Sequence, residues 1–468
     1  MHEEICYCDA TELARRIRSK EVSPVEVVRA HLARIDAINP KLNAIVTPID
    51  GAERQAKAAE AAVMRGDSLG PLHGVPFTIK DCFDTAGVRT TRGSNFFKDR
   101  KPEEDATLVQ RLKAAGGIPL GKTNLPEFAL WWETGNLVFG QTKNPWNLDR
   151  TTGGSSGGEA AAIAAGLSPL GLGSDVGGSI RMPAHYCGIV GLKATHGRFP
   201  LTGHWPEVLL RFMHTGPMAR TVRDAALASG ILAGPDGRDG YAVAAPVPEL
   251  SGAESSVRSL RVGWMAEEGF GPIHAEVASV VKRAAETLRS AGCKVDPVVV
   301  RGLAERDCNV LSATLFGAEA SVYFDKLIRG QTEKLHPVLR NRLTSVSVSL
   351  ADYVKAQLEV DQLRNDLAEY FSHYDVLLTP ATIVAAHPHN ATELKVAGNT
   401  LPPRQVVRTT VPFSMTGYPA MSVPFGWSSE KLPIGVQLVG RHFDERSIFL
   451  AATALEAAHD GVRTHPPV

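Results

Sequence analysis

The sequence is poor in cysteine, with six cysteines in 468 residues. No two of them form a Cys-x-x-Cys pair, so the sequence indicates neither a disulfide framework nor a zinc site built on paired cysteines. One close histidine pair, His387 and His389, lies in a proline-containing stretch that we expect to be a solvated loop. We therefore expect no metal and no cofactor, and a reducing compartment fits the few thiols.

The sequence also lacks an excess of charge of either sign, because 50 Lys and Arg residues balance 50 Asp and Glu residues. A neutral protein has no overall field to hold a polyanion or an acidic membrane surface. No segment approaches the roughly 20 apolar residues that cross a bilayer, and the first residues lack the basic start and apolar run of a signal peptide. These absences predict a cytoplasmic protein without a nucleic-acid or membrane partner.

Short apolar runs alternate with amphipathic segments along most of the chain. Apolar residues recurring every three to four positions predict helices near 11–18, 24–35, 52–64, 274–291, 307–328 and 351–371, with Ser23 as an N-cap. Strands are predicted near 75–79, 117–120, 169–172, 260–264, 295–300, 376–378, 420–423 and 436–439. This alternation predicts an α/β fold. Because no repeat or Ser/Gly-rich linker is present, we predict one domain over residues 1–468, with a peripheral boundary near 235–260.

Residues 116–123 match the phosphate-binding string G-x-x-x-x-G-K-[ST]. A phosphate loop must leave a strand and open a helix, so that backbone N–H groups face the phosphates. This segment instead follows a helix predicted near 108–115 and runs towards Pro126. We therefore interpret it as the end of a helix followed by a buried strand.

Residues 153–157, Gly-Gly-Ser-Ser-Gly, match the G-x-S-x-G turn of α/β-hydrolases, in which Ser155 would be the nucleophile. That turn needs an apolar strand directly before the serine, whereas residues 144–152 are typical of a loop. A flexible loop without a role is the other alternative, and the helix predicted to begin near Glu159 argues against it.

Four segments around these serines follow one another in a fixed order. They are GVPFTIKD at 74–81, GGSSGGE at 153–159, GSDVGGSIRMPA at 173–184 and CGIVGLK at 187–193. Together with segments at 120–127, 139–146, 216–224 and 432–440, this order resembles the amidase signature family. The resemblance covers most of the chain and is strongest over 74–224, the expected catalytic core. It implies the family's fold, a large twisted mixed β-sheet covered by helices on both faces.

The resemblance implies a serine hydrolase that cleaves the C–N bonds of amides through an acyl-enzyme on Ser179. It assigns the transfer of the serine proton to Ser155 and to a neutral Lys80, without a histidine. It further implies a cis peptide bond between Gly154 and Ser155. The oxyanion hole is implied to consist of the backbone N–H groups of Val176, Gly177, Gly178 and Ser179.

A neutral lysine needs a special environment, because a free lysine amine has a pKa near 10.4. Lys80 follows the apolar residues 75–79, where burial can lower the pKa by several units. The alternative is a surface lysine paired with Asp81. Asp175 and Arg181 flank Ser179, and we expect them to hold the glycine turn before it by charge-assisted hydrogen bonds, with a plain structural salt bridge as the alternative.

Large apolar side chains beside the core segments point to the substrate. Trp131, Trp132 and Trp205 predict a pocket for hydrophobic or aryl amides and anilides, with esters and carbamates as further substrates, although core packing is the alternative. The family also includes the A subunit of tRNA-dependent amidotransferases. This subunit is a glutaminase that releases ammonia from glutamine for a partner enzyme. It is the main functional alternative, and a non-catalytic scaffold is a second. We expect a protein that acts on a small-molecule amide without a different partner protein, and a homodimer stays open.

Overall fold

The structure is a computed structural model that describes residues 2–247, 257–458 and 465–468. Its helices are α1 (His2–Tyr7), α2 (Ala10–Arg18), α3 (Pro24–Leu42), α4 (Ala52–Arg65), α5 (Thr107–Ala114), α6 (Gly157–Ala164), α7 (Arg181–Cys187), α8 (Val222–Leu232), α9 (Ala275–Ser290), α10 (Arg301–Ala304), α11 (Cys308–Ile328), α12 (Pro337–Thr344), α13 (Leu350–His373), α14 (Val411–Thr416) and α15 (Glu445–Ala457).

The strands are β1 (Ile45–Pro48), β2 (Pro76–Lys80), β3 (Ile118–Thr123), β4 (Gly135–Asn136), β5 (Gly140–Gln141), β6 (Lys143–Asn144), β7 (Asn147–Thr151), β8 (Leu170–Asp175), β9 (Val190–Lys193), β10 (His214–Ala219), β11 (Arg261–Trp264), β12 (Lys294–Pro297), β13 (Val376–Pro380), β14 (Leu394–Val396), β15 (Asn399–Leu401), β16 (Ala420–Trp427) and β17 (Pro433–Gly440). Every predicted strand and helix has a counterpart. The elements that were not predicted are strands β1, β4, β5, β6, β7, β9, β10, β14 and β15 and helices α1, α7, α8, α10, α12, α14 and α15.

Eleven strands form one sheet in the order β1-β3-β2-β8-β10-β9-β16-β17-β13-β11-β12. Strands β3, β2 and β8 are parallel, as are β13, β11 and β12, and the other neighbouring pairs are antiparallel. The expected mixed sheet is therefore confirmed. Every residue of β2, β3 and β8 is buried, which is typical of strands covered by helices on both faces. This buried region of the sheet carries the candidate site.

The local predictions at two helix ends are confirmed. Helix α3 begins with a capping box, in which the Ser23 side chain accepts the Glu26 amide and the Glu26 side chain accepts the Ser23 amide. The segment at 116–123 leaves helix α5 and becomes the buried strand β3, as interpreted, with Lys122 fully buried. Its backbone groups are used by the sheet, so no phosphate loop forms there.

The boundary predicted near 235–260 falls partly on residues 248–256, which lie outside the described residues. After this interval, β11 begins at Arg261 and joins the same sheet as β2 and β8. Within the described ranges, no helix is both long enough and apolar enough to cross a membrane.

Gly171 in β8 provides a test of how closely helix α6, which contains Glu159, packs against the sheet. A methyl group there would lie 1.7 Å from Glu159 Oε1, and hydrogen bonds from Thr78 and Thr123 hold that carboxyl group in place. Because overpacking a core site forces neighbours to move, Gly171→Ala should lower the free energy of unfolding by about 1–3 kcal/mol. The measurement is the guanidinium unfolding midpoint.

The matched control is Gly230→Ala on the exposed side of helix α8, where the nearest neighbour of the new methyl group is 3.8 Å away. It should stabilise the protein by roughly 0.5–1 kcal/mol, because alanine favours helix more than glycine does. An unchanged midpoint for Gly171→Ala would contradict the described packing.

Candidate active site

Lys80 ends strand β2 inside the protein, with no exposed surface. Its Nζ lies 2.7 Å from Ser155 Oγ and 2.9 Å from Ser174 Oγ. It also lies 3.4 Å from the Ser174 carbonyl oxygen, which can accept one of its hydrogens. The amine is therefore surrounded mainly by hydroxyl groups, and the role of Ser174 in holding it was not predicted from the sequence.

No carboxylate among the described residues forms an ion pair with Lys80. Asp81, the expected alternative partner, instead lies 3.5 Å from Lys122 on the neighbouring strand, so the surface-pair alternative for Lys80 is wrong. Burial lowers the pKa of Lys80 to about 8, although Cys82, Asp175 and Glu159 oppose the shift. A buried amine without a paired anion favours its neutral form, which can accept a proton.

Ser155 lies on the loop between β7 and α6, and its side chain is buried. The Gly154–Ser155 peptide bond is cis, as the resemblance implied. A side chain at Gly154 would lie 2.8 Å from the Trp131 carbonyl oxygen and 2.9 Å from the Glu133 nitrogen, so only glycine fits. The next residue, Ser156, donates its amide hydrogen to the Ser179 carbonyl at 3.1 Å. The two serine-bearing loops are thus fastened together.

Asp175 and Arg181 hold the turn that carries Ser179. Both are fully buried, and two hydrogen bonds of 3.0 and 2.8 Å join the guanidinium to the carboxylate. Burial would raise the pKa of Asp175, but the charge and hydrogen bonds of Arg181 hold it below the usual value. Asp175 also accepts the amide hydrogens of Gly178 and Ile180 at 2.7 and 3.1 Å. Charge-assisted hydrogen bonds between Asp175 and Arg181 thus accompany the bonds that Asp175 accepts from the turn.

The same contacts correct one expectation for the oxyanion hole. The Gly178 amide hydrogen points to Asp175 Oδ1, so it is committed to the turn and not to a substrate oxygen. Gly178 has φ +125°, and a methyl group there would lie 2.3 Å from Thr410 Oγ1, which explains its glycine. The amide groups of Val176, Gly177 and Ser179 donate to no other described residue and remain available.

Ser179 borders a small cavity with about 50 Å³ of space for solvent. Trp131 and Trp132 line this cavity, with their rings stacked at 3.6 Å. The remaining lining residues are Ala129, Leu130, Gly154, Val176, Gly177, Ser312, Phe316, Arg342, Arg404, Val407 and Val411. No motif indicated the residues of α11, α12 and the 404–411 segment, because they approach Ser179 only through the fold.

The prediction that Trp205 lines the pocket is wrong. Its ring packs edge-on against Phe97, Phe128 and Phe324, and the Arg92 guanidinium covers it at 4.5 Å. Core packing, the alternative for this residue, is therefore the observed arrangement.

The His387 and His389 stretch is also not a solvated loop. His387 is buried, and its carbonyl accepts the amide hydrogen of Thr151 at 2.9 Å, which attaches the stretch to β7. Over the ranges that the structure describes, no group of three or more His, Cys, Asp or Glu side chains is placed to hold a metal ion.

Comparisons with known proteins agree with this geometry. The family pattern described as Amidase matches residues 26–449. The chain is 38% identical to the A chain of the glutamyl-tRNA(Gln) amidotransferase of Roseiflexus castenholzii, over 96% of this chain and 95% of that protein.

Two solved structures are similar over nearly their whole length. One comes from a vestigial protein complex that reveals the origins of an s-triazine catabolic enzyme, with 32% identity, a TM-score of 0.90 and coverage of 96% of this chain and 98% of that one. The other is a bacterial aryl acylamidase, with 28% identity, a TM-score of 0.88 and coverage of 97% and 96%. This chain therefore belongs to the amidase signature family and is an enzyme that acts on the C–N bonds of amides.

Proposed function

We propose that the protein hydrolyses small amides through an acyl-enzyme on Ser179, with Lys80 and Ser155 transferring the proton. One observation carries the proposal: Lys80 Nζ lies 2.7 Å from Ser155 Oγ. Lys80 is fully buried and forms no ion pair with a carboxylate of the described residues. Ser179 lies on the neighbouring loop and borders the cavity. A serine hydroxyl is a weak nucleophile unless a base removes its proton, and this arrangement supplies one.

In the proposed reaction, neutral Lys80 takes the proton of Ser155 while Ser155 takes the proton of Ser179. Ser179 Oγ bonds to the amide carbon, and the resulting oxyanion accepts hydrogen bonds from the amides of Val176, Gly177 and Ser179. The proton returns through Ser155 to the amide nitrogen as the C–N bond breaks. Water then attacks the ester, assisted by the same two groups, and releases the acid and free Ser179.

The substrate has two candidates. Glutamine, hydrolysed to supply ammonia to a partner enzyme, is supported by the name of the relative at 38% identity. A hydrophobic aryl amide is supported by the Trp131–Trp132 pair and by the similarity to an aryl acylamidase. A cavity of about 50 Å³ is far below the several hundred Å³ typical of sites for drug-sized ligands. The small size and the relatives together favour a small amide of glutamine's dimensions.

Ser179→Ala should reduce turnover by about 10⁴-fold or more, because it removes the covalent nucleophile. Ser155→Ala should leave a small residual activity, since water can replace its hydroxyl in the relay. Mass spectrometry after treatment with a fluorophosphonate should find the adduct on Ser179. An adduct on Ser155 would instead support the α/β-hydrolase alternative.

The pH dependence tests the base. Below its pKa Lys80 is protonated and cannot accept a proton, so kcat/KM should rise with pH through an apparent pKa near 8 and then level off. Lys80→Ala should lower kcat/KM by about 10²- to 10⁴-fold and lose this acid limb. Lys122→Ala is the control for a second buried lysine, and it should retain the limb. A flat profile in the wild-type protein would contradict the assignment.

A comparison of kcat/KM between short primary amides and an aromatic anilide distinguishes the substrate candidates. We expect short primary amides to be hydrolysed with kcat/KM at least tenfold above that of an aromatic anilide, because the cavity is small. The assay measures ammonia and aniline release from the purified protein. A preference for the anilide would favour the hydrophobic-amide candidate, and dependence on an added partner protein would favour the amidotransferase candidate.

A further inference from the structure

Two arginines border the cavity that contains Ser179. Arg342 lies on helix α12, and Arg404 lies between β15 and α14. Arg342 Nη1 donates to the Leu130 carbonyl at 3.1 Å. Arg404 Nη2 donates to the Asn309 carbonyl and to Ser312 Oγ, each at 3.0 Å. These contacts orient both guanidinium groups through neutral acceptors.

Neither arginine forms an ion pair with a carboxylate of the described residues. Two fully buried arginines, Arg181 and Arg198, are by contrast paired with Asp175 and Glu445. Asp307 attracts Arg404 only from beyond ion-pair distance, and its carboxylate already accepts two amide hydrogens at the start of α11. The cavity therefore contains positive charge that the described part of the chain leaves unpaired.

Both groups remain cationic at neutral pH. Burial lowers the pKa of Arg342 to about 10, with the nearby charge of Arg404 as the smaller cause. Two guanidinium groups that repel each other in a partly desolvated site are unfavourable for folding alone. An anion bound between them would remove this repulsion, and the guanidinium fork matches the geometry of a carboxylate.

We propose that Arg342 and Arg404 bind a carboxylate at the end of the substrate's acyl portion, so that the substrate is the monoamide of a small dicarboxylic acid. The proposal rests on the proposed function of Ser179. No Asp or Glu is among the described residues that line the cavity, so an α-ammonium group such as that of glutamine has no acidic partner there. Val407, Val411 and Phe316 supply apolar contacts for the methylene groups between the amide and the carboxylate.

The kinetic test compares four primary amides of similar size: succinamate, glutaramate, butyramide and glutamine. We expect the better of the two carboxylate monoamides to exceed butyramide in kcat/KM by at least 100-fold, and to exceed glutamine by at least tenfold. Equal values for butyramide and both monoamides would overturn the proposal. A clear preference for glutamine would overturn the exclusion of an ammonium group.

The variant test uses Arg342→Gln and Arg404→Gln, with Arg408→Gln as the matched control. Arg408 has the same charge, lies near Asp307 and does not line the cavity. The first two variants should lower kcat/KM for the monoamide at least tenfold more than they lower that for butyramide, and Arg408→Gln should leave both unchanged. Equal losses on both substrates, or a loss in Arg408→Gln alone, would overturn the proposal.

A binding test does not depend on turnover. Glutarate should slow fluorophosphonate labelling of Ser179 in the wild-type protein and in Arg408→Gln, but not in Arg342→Gln or Arg404→Gln, and the neutral diamide should have no effect. Labelling that glutarate does not slow would overturn the carboxylate site while leaving the proposed function intact. Failure of Ser179 to be labelled under any condition would overturn the proposed function itself.

Discussion

The site depends on one constraint: the buried amine of Lys80 contacts neither bulk water nor a paired carboxylate of the described residues. A lysine at the end of a fully buried strand must either pair with an anion or lose its proton. Lys122, one strand away and equally buried, pairs with Asp81 at 3.5 Å, whereas Lys80 contacts the hydroxyls of Ser155 and Ser174. Burial lowers the pKa of both lysines, but only Lys122 has a carboxylate within ion-pair distance. The difference lies in their partners and not in their burial.

A second buried pair fixes Ser179, the proposed nucleophile, relative to Lys80, the proposed base. Asp175 ends strand β8, and with Arg181 it forms the hydrogen bonds that shape the Ser179 turn. Arg181 in turn donates to the Thr410 carbonyl and to Gln437, so the turn is attached to the opposite half of the sheet. Such buried, fully bonded networks hold catalytic groups in place without motion during the reaction. The position of Ser179 therefore depends on residues more than two hundred positions away.

Sequence reasoning predicted the mixed sheet, which followed from the resemblance, but it failed where a contact depends on the fold. Lys80, Ser155 and Ser179 were predicted from motifs in a fixed order, and the structure places Lys80 Nζ against Ser155 Oγ. Trp205 was misplaced because adjacency in sequence does not reveal which way a ring faces. Strands β9 and β10 contain glycine, proline and polar residues, so their periodicity is weak and sheet pairing alone defines them. Arg342 and Arg404 carry no motif, and only the structure reveals that they lack carboxylate partners among the described residues.

The central claim is that burial lowers the pKa of Lys80 far enough for its neutral form to act as a base near physiological pH, and the titration of Lys80 is the most direct test. The protein would be labelled with ¹³C at the lysine side chains and the lysine signals followed by NMR between about pH 6 and 11, with the Lys80→Ala variant identifying the Lys80 signal. The account predicts a Lys80 midpoint close to pH 8, as burial requires. A midpoint near the ordinary lysine value of about 10.4 would contradict it, because the amine would then be protonated when the enzyme works.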